Sequence, residues 1–401
     1  MKRIGVLTGG GDTSALNATI KGICLQADAM GYEVVAFIRG WAGVLDSGEY
    51  TILRTGQVDP DIGGTILKTS RTKLAKVEGG YAQAVKNIKT LGIDGFIPIG
   101  GDDTLSVVTH LTGVRSVAIT KTIDNDVGTN APDGDVLDYG QIINYYTPGF
   151  ATAAARVAEF VSMAKGLRTT AYSHDRIIIV EAMGMSAGWL GLAAAYGHPD
   201  FIVVPECPLV LDELAELVFE RYAAQKEVII ALSEGAIGPD GKVLYEDDAN
   251  VDAFGHKKLG GCAEFVAQWL KDALGEKLQT RNFNSVIPSY LWRCGAPTAT
   301  DRDNAIALGR KAVEELDHGA DARMACLIRK GDELIASAVD FDVLPRNENG
   351  SLVPRKMDKR FYDEEKMCIT TAGIRYLEPI LGPMADPVRP AALSVKKVAD
   401  G

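Results

Sequence analysis

The sequence of 401 residues contains few cysteines and histidines, and none of them lies in a metal-binding spacing. Its six cysteines include no Cys-x-x-Cys pair, and its five histidines form no His-Glu-x-x-His pattern. These absences exclude zinc-finger and zinc-peptidase signatures and give no framework for disulfide bonds. We therefore expect buried thiols in a reducing, cytoplasmic compartment.

Long apolar runs and an excess of basic residues are also missing. The most apolar stretch, residues 201–211, is interrupted by Pro205, Glu206 and Pro208, so it falls short of the ~18 or more apolar residues of a membrane span. Lysine and arginine number 42 against 53 aspartates and glutamates, which gives a formal charge of −11. No basic run compensates for this charge, which argues against a nucleic-acid-coating role. A small anionic substrate stays compatible, because local charge can oppose net charge.

Apolar runs alternate with amphipathic patterns, and this alternation is the main positive signal. Strands are expected at residues 4–7, 33–38, 95–99, 116–119, 176–181, 201–204 and 227–231, with helices between them, as at 14–30, 80–91, 104–111, 151–165, 186–195 and 211–225. The pattern predicts an α/β protein whose parallel sheets are covered on both faces. A hairpin is expected at 323–339 and a loop at 127–146. At about 150 residues per domain, the length indicates two to three domains.

The loop at residues 8–14, Thr-Gly-Gly-Gly-Asp-Thr-Ser, follows the first predicted strand. Consecutive glycines such as Gly10 and Gly11 let backbone N–H groups approach an anion, and the helix start that follows adds a favourable dipole. The loop is neither a Walker loop nor a dinucleotide fingerprint, because the chain contains no Gly-Lys-Ser/Thr and no Gly-x-Gly-x-x-Gly. Taken alone, this loop is also compatible with a tight turn that has a Ser or Thr N-cap.

Two further loops follow predicted strands and carry carboxylates. Asp102 and Asp103 follow two glycines, and adjacent acids beside an anion site repel the anion unless a divalent cation bridges them. This arrangement indicates Mg²⁺ held by oxygen ligands. Asp124 and Asp126, in Lys-Thr-Ile-Asp-Asn-Asp, then offer a carboxylate base beside a phosphate site, as phosphoryl transfer requires. Taken alone, each loop is also compatible with a cap or a turn.

In this order and spacing, the loops resemble those of the 6-phosphofructokinase family, from about residue 3 to about residue 310. The shared motifs are Gly-Gly-Asp at 10–12, Gly-Gly-Thr…Ser-Arg at 63–71, Gly-Gly-Asp at 100–102 and Thr-Ile-Asp-Asn-Asp at 122–126. The last motif is highly specific, whereas NAD kinases and lipid kinases share Gly-Gly-Asp in a looser form.

The resemblance implies two Rossmann-like parallel-sheet α/β domains with the active site in the cleft between them. Residues 1–150 and 291–345 would form the phosphoryl-donor domain. Residues 151–290 and 346–401 would form the sugar-phosphate domain. The implied reaction is Mg²⁺-dependent phosphoryl transfer to the 1-hydroxyl of fructose 6-phosphate, giving fructose 1,6-bisphosphate.

The resemblance also implies roles for single residues on the donor side. Asp124 matches the base that takes the proton of the sugar 1-hydroxyl, and an ordinary aspartate pKa near 3.9 would suffice to keep it ionised. Thr122 and Asp126 match residues around that hydroxyl and the metal, and Asp102 matches the Mg²⁺-associated acid. Arg71 matches the arginine that neutralises the transferring phosphoryl group.

Gly11, with Gly10 beside it, matches the backbone cradle for the donor. The positions that match sugar-phosphate contacts are Arg176, Met183, Gly184, Glu234, Tyr290 and Arg293. The family reaches Arg176 across a subunit interface, which implies a homodimer or homotetramer.

The resemblance favours diphosphate as the donor. ATP-using members have a glycine where this chain has Asp103, and usually a glycine where it has Lys121. A carboxylate at 103 repels the nucleotide phosphate, and the ammonium of Lys121 can hold the terminal donor phosphate and balance Asp103. Both changes together resemble the pyrophosphate-dependent subgroup.

Departures from the family leave alternatives open. Met185 stands where the family commonly has an arginine, only Arg281 lies near the position of a second cross-interface arginine at Asn284, and Lys68 replaces a small residue. Lys68 is a candidate for the cation lost at Met185. The alternatives are an ATP-dependent phosphofructokinase, a kinase of a related ketose phosphate such as sedoheptulose 7-phosphate, and a non-catalytic sugar-phosphate-binding paralogue. A NAD-kinase-like enzyme is a weaker alternative, because that family lacks the Thr-Ile-Asp-Asn-Asp loop.

Overall fold

Two β-sheets, built mainly from parallel strands, organise the chain and confirm the predicted α/β class. The computed structural model describes residues 2–45, 48–134, 136–245, 247–251, 257–258, 260–348, 350–391 and 393. The strands in chain order are β1 (Arg3–Thr8), β2 (Glu33–Phe37), β3 (Tyr50–Leu53), β4 (Gly95–Gly100), β5 (Val117–Thr120), β6 (Ile177–Ala182), β7 (Phe201–Val203), β8 (Val228–Ser233), β9 (Asp247–Val251), β10 (Lys257–Lys258), β11 (Phe283–Val286), β12 (Arg323–Lys330), β13 (Glu333–Asp340), β14 (Tyr362–Asp363) and β15 (Cys368–Ile369). The α-helices are α1 (Leu16–Met30), α2 (Trp41–Leu45), α3 (Gly80–Thr90), α4 (Asp102–Leu105), α5 (Phe150–Val161), α6 (Arg168–Ser173), α7 (Trp189–Ala193), α8 (Leu211–Gln225), α9 (Cys262–Leu278), α10 (Ala299–Asp317) and α11 (Thr371–Leu381).

The larger sheet has seven strands in the order β13-β12-β5-β4-β1-β2-β3. Strands β2, β1, β4, β5 and β12 are parallel neighbours, while β3 and β13 pair antiparallel at the two edges. Every residue of β4 and β5 is buried, which is why these strands appear in the sequence as continuous apolar runs. Because β1, β4 and β5 are adjacent and parallel, the loops that follow them lie at one edge of the sheet.

The smaller sheet has four parallel strands in the order β11-β6-β8-β7. All residues of β6 and β8 are buried, and α8 and α9 contribute Leu214, Val218, Val266 and Leu270 to the core on one face. The strands of the larger sheet come from residues 3–120 and 323–340, and those of the smaller from 177–286. The division into domains at 150, 291 and 345 stays a prediction.

The segment after β13 contacts elements near both sheets. The ring of Tyr376 in α11 stacks on Tyr145 with 4.7 Å between ring centroids. The N–H of Ile202 in β7 donates to Met367 O at 2.8 Å. The N–H of Leu352 donates to Asp102 Oδ1, beside the larger sheet, at 2.9 Å. Residues 346–401 were expected with the second domain, and that assignment stays a prediction.

Two predicted elements differ from the structure, and a third agrees. The helix predicted at 104–111 is the short α4 followed by a 3₁₀ turn at Val108–His110. Side chains of Thr109 and His110 bond to the carbonyl of Ser106, which competes with the helical hydrogen bonds. The helix predicted at 186–195 is shortened to α7 and a 3₁₀ turn. The predicted hairpin is formed by β12 and β13.

No described helix is long and apolar enough to cross a membrane. All six cysteines are free thiols.

The buried carboxylate of Asp301 connects the start of α10 to the start of α5. It is fully buried, and it accepts hydrogen bonds from Gly149 N (3.0 Å), Thr152 N (3.2 Å) and Thr152 Oγ1 (2.5 Å). We expect Asp301→Ala to lower the free energy of unfolding by roughly 2–5 kcal/mol, because it leaves these buried donors without a partner. Urea denaturation measures the change. The matched control is Asp303→Ala on the same helix, where the side chain is 64% exposed and the expected change is within about 0.5 kcal/mol. Equal effects of the two substitutions would contradict this account.

Candidate active site

A cleft of about 300 Å³ opens at the carboxyl ends of β1, β4 and β5, where ligands bind on parallel sheets. The predicted site residues that line it are Gly10, Gly11, Arg71, Asp102, Asp103, Lys121, Thr122, Asp124, Asp126, Met183 and Arg293. The structure therefore brings the three loops predicted from the sequence together with residues that follow β6 and precede α10.

The glycine loop after β1 forms one wall of the cleft. Gly10 has φ +80°, a left-handed conformation that favours glycine. A Cβ on Gly11 would lie 2.9 Å from Nη1 of Arg293, so a side chain there would displace the arginine. Lys121 Nζ donates to the Gly11 carbonyl, which ties this loop to the end of β5. The backbone of this loop and the buried ammonium of Lys121 therefore face the same space.

Several carboxyl groups line the same cleft. Burial raises the pKa of Asp102 to about 6, the N–H of Leu352 opposes that shift, and the charges of Asp103 and Asp126 add to it. Burial raises the pKa of Asp124 well above its usual range, and the neighbouring Asp126 and Glu234 add to the shift. This differs from the expectation of an ordinary aspartate, because a sequence shows neither the burial nor the neighbouring acids.

Three cationic side chains face these acids. Lys121 is 3% exposed, and burial, with Arg293 beside it, lowers its pKa to about 8. Arg293 pairs with Asp12 at 3.3 Å, and its guanidinium lies 4.6 Å from the ring centroid of Tyr290. Arg71 also lines the cleft. These cations can neutralise charge on a bound phosphate, and arginine does so in a bidentate geometry.

Asp103 is paired differently from the prediction. Its Oδ1 lies 2.9 Å from Lys73 Nζ, whereas the acids that act on the pKa of Lys121 are Asp12, Asp124 and Asp126. The prediction that Lys121 balances the charge of Asp103 therefore named the wrong partner, because the ion pair of Asp103 is with Lys73. Lys73 lies on the loop after Arg71, and its contact with Asp103 depends on tertiary structure.

Several predicted residues lie outside the lining of the cleft. Glu234 lies close behind it, where its Oε1 accepts from Gly184 N at 3.2 Å and burial raises its pKa to about 7. Tyr290 is 64% exposed and reaches the site through its contact with Arg293. Lys68 is not among the lining residues, and its role in replacing the charge lost at Met185 stays a prediction.

Arg176 lies far from the cleft within one chain. It precedes β6, and its Nη1 donates to Thr170 Oγ1 at 3.2 Å. Met183 follows the other end of β6, which is about 20 Å away at ~3.3 Å per residue. Arg176 therefore does not complete the cleft of its own chain.

The sequence analysis missed part of the cleft. Asp12, Ser186 and Pro354 line it, and Leu352 donates to Asp102. Asp12 belongs to the Gly-Gly-Asp motif, so its position in the sequence could have marked it as a site residue. Pro354 and Leu352 are more than 200 residues from the loops that they contact, and nothing local marks them.

The placement of two carboxylates in the cleft is compatible with a divalent cation held by oxygen ligands. Asp102 and Asp126 face the same cleft, and the charge of Asp126 adds to the raised pKa of Asp102. Among the described residues, no three His, Cys, Asp or Glu side chains form a metal-binding group by themselves. A cation here would take its other ligands from phosphate or water, as Mg²⁺ commonly does.

Fold and cleft together define an α/β protein with a cleft of acidic and basic side chains at the carboxyl ends of parallel strands. The model of the family described as "Phosphofructokinase" matches residues 3–316. The chain belongs to the phosphofructokinase family.

Relatives named for two different donors resemble the chain. The pyrophosphate–fructose 6-phosphate 1-phosphotransferase of Dictyoglomus thermophilum is 36% identical over 369 residues, which cover 91% of this chain and 97% of the relative. The ATP-dependent 6-phosphofructokinase 3 of Streptomyces coelicolor is 36% identical over 344 residues, which cover 84% and 94%. The crystal structure of the pyrophosphate-dependent phosphofructokinase of Nitrosospira multiformis has a TM-score of 0.76 at 21% identity and covers 99% of both chains. That likeness shows the fold.

The lowered pKa of Lys121 gives a test of the site's electrostatics. We expect carbon-13 NMR of labelled lysine, assigned with Lys121→Arg, to find one ammonium titrating near pH 8. Arg293→Met should raise this pKa, because the substitution removes a like charge beside the ammonium. The control is Arg39→Met, on an exposed pair with Glu49, which should leave the pKa unchanged. An unshifted lysine in the wild type would refute the buried position of Lys121.

Proposed function

We propose that the chain catalyses the reversible, Mg²⁺-dependent transfer of a phosphoryl group from diphosphate to the 1-hydroxyl of fructose 6-phosphate. The observation that carries this proposal is the convergence of Asp124 with Lys121, Arg71 and Arg293 in one cleft. The relatives named for this reaction are similar over most of the chain, and family membership makes the chain a phosphotransferase. The products would be fructose 1,6-bisphosphate and orthophosphate.

Asp124 acts as the general base in this proposal. It removes the proton of the sugar 1-hydroxyl while that oxygen bonds to the terminal phosphorus of diphosphate. The bond from this phosphorus to the bridging oxygen breaks, and orthophosphate leaves. Its raised pKa makes Asp124 a stronger base than an ordinary aspartate, while Arg293 and Lys121 favour the ionised form. Thr122 Oγ1 accepts from the N–H of Asp124 at 3.1 Å and fixes the start of the loop.

The other lining residues bind and orient the substrates. Arg71 and Lys121 face the charge of the transferring group, and Gly10 and Gly11 give the donor a backbone cradle. Asp102 and Asp126 would hold Mg²⁺, which when bound neutralises donor oxygens and makes the transferred phosphorus more electrophilic. On the acceptor side we assign Met183, Gly184, Glu234, Tyr290 and Arg293 to the sugar phosphate.

A second copy of the chain would complete the acceptor side. Arg176 is remote from the cleft of its own chain, so its role in sugar-phosphate binding requires a homodimer or homotetramer. The cytoplasmic location expected from the cysteine pattern likewise stays a prediction.

The donor assignment depends on Asp103, because a relative named for diphosphate and a relative named for ATP share the same 36% identity with the chain. A carboxylate paired with Lys73 occupies the position beside Asp102. The acceptor assignment is weakened by Met185, which lines the cleft without a charge, so sedoheptulose 7-phosphate is the second candidate acceptor. Initial rates with diphosphate or ATP against several sugar phosphates test both assignments, and the highest specificity constant should belong to diphosphate with fructose 6-phosphate. Higher values with ATP or with sedoheptulose 7-phosphate would correct the donor or the acceptor.

Asp124→Asn tests the base. We expect kcat to fall by roughly 10²–10⁴-fold, since base assistance is lost, while the dissociation constants of both substrates stay similar. Steady-state rates and titration calorimetry measure the two effects. Asp138→Asn, outside the cleft on the 127–146 loop, is the control. Near-normal turnover of Asp124→Asn would remove this residue from the mechanism.

Asp103→Gly combined with Lys121→Gly tests the donor. We expect the ratio of ATP to diphosphate specificity constants to rise at least about tenfold, because a carboxylate about 4 Å from a phosphate costs on the order of 4 kcal/mol near a protein surface. Asp103→Asn removes the charge and keeps the bulk, so it separates repulsion from steric exclusion. A wild type that already prefers ATP, or an unchanged ratio in the double variant, would contradict the donor assignment.

A further inference from the structure

Residues 352–357 run beside the cleft and bond to two of its loops. The N–H of Leu352 donates to Asp102 Oδ1 at 2.9 Å, and the N–H of Arg355 donates to Asp126 O at 2.6 Å. Pro354, between them, lines the cleft. The match to the family model ends at residue 316, so this segment lies beyond the matched range.

The side chain of Arg355 is buried beneath the loop that carries Asp124 and Asp126. It is 5% exposed and lies 4.9 Å from the ring centroid of Trp189. Its Nε and Nη2 donate to Asn125 O at 3.1 and 2.7 Å, Nη2 donates to Asn125 Oδ1 at 2.6 Å, and Nη1 donates to Asn144 O at 2.8 Å. Only the planar fork of an arginine can donate to several converging oxygens in this way.

Asn125 is the residue whose conformation sets the directions of the two acids. It has φ +55°, in the left-handed region, which asparagine adopts more readily than most other non-glycine residues when its side chain forms local hydrogen bonds. Its Oδ1 also accepts from Thr147 N at 3.1 Å, and its Nδ2 donates to Tyr376 Oη at 2.8 Å. Such a conformation persists only where its surroundings determine it fully. Arg355 supplies more of these bonds than any other described side chain.

The position of the guanidinium has an electrostatic consequence as well. Asp124 and Asp126 flank Asn125 and repel each other across it, and both have raised pKa values because of burial. A buried positive charge below the loop opposes that repulsion while staying outside the lining of the cleft. It can therefore hold the acids in place without taking a position that substrates need.

We infer that Arg355 is a positioning residue for phosphoryl transfer, which holds Asn125 left-handed and so fixes Asp124 relative to Asp126. This inference rests on the proposed function, because it acts through the assigned base. Misplacing a reacting group by about 1 Å can cost on the order of 10²-fold in rate. Loss of the arginine fork should therefore appear in kcat more than in substrate affinity.

Arg355→Lys is the test, measured on the full-length protein with diphosphate, fructose 6-phosphate and Mg²⁺. We expect kcat per folded enzyme to fall roughly 10–100-fold, while both KM values and both dissociation constants change by less than about threefold. Circular dichroism at the assay temperature gives the folded fraction. A merely structural arginine would lower that fraction and leave kcat per folded enzyme unchanged.

Arg360→Lys is the matched control on the same segment. Arg360 also donates to backbone carbonyls, those of Ala131 at 2.9 Å and Pro132 at 3.2 Å, but its described bonds do not reach residues 122–126. We expect this variant to lose stability and to keep kcat. Equal kcat in the two variants would overturn the inference.

Asn125→Gly supplies an independent variant, because glycine keeps the positive φ and removes the side-chain acceptor. We expect it to lower kcat by itself, and we expect Arg355→Lys to lower kcat less in this background than in the wild type. Fully additive effects would overturn the inference. If Arg355→Lys does not fold, an unchanged kcat in Asn125→Gly is by itself enough to overturn the inference. A wild type without turnover would overturn the proposed function and this inference together, whereas an active wild type with an unaffected Arg355→Lys variant overturns only the inference.

Discussion

Acidic side chains outnumber basic ones in one small cleft, and this imbalance of charge explains the main features of the site. Five carboxyl groups, those of Asp12, Asp102, Asp103, Asp124 and Asp126, line the space with three cations, those of Arg71, Lys121 and Arg293. The cleft alone would repel an anionic substrate. Lys73, which pairs with Asp103 from outside the lining, reduces the excess by one charge, whereas the pair of Asp12 with Arg293 joins two groups already counted. In the proposed function a divalent cation would offset the remaining acids, which would connect the fold to Mg²⁺-dependent phosphate chemistry.

Buried backbone and side-chain bonds keep the crowded acids from separating. The strand ends place the three loops side by side, the glycines let the backbone approach closely, and the segment around Arg355 supports the loops from below. Raised carboxyl pKa values and a lowered lysine pKa are consequences of the same burial. The cleft is thus strained electrostatically before substrates bind, which is common where pKa values are tuned for catalysis.

Features of the fold and the site that depend on short-range sequence pattern could be predicted. Apolar runs predicted the parallel strands, and strand ends followed by Gly10, Asp102 and Asp124 predicted which loops would meet, because parallel neighbours share one edge. Contacts between distant positions were not predictable. Lys73 rather than Lys121 as the partner of Asp103, and Arg355 beneath Asn125, join residues 30 and 230 positions apart. The raised pKa of Asp124 was missed because burial and neighbouring charge are properties of the folded chain.

Binding of the donor in the presence and absence of metal tests this account most directly. Titration calorimetry of the wild-type protein with diphosphate should show binding in millimolar Mg²⁺ and none when the metal is chelated by EDTA. ATP titrated under the same Mg²⁺ conditions should bind much more weakly than diphosphate. Diphosphate that binds equally well without a divalent cation would contradict the charge imbalance on which the account depends.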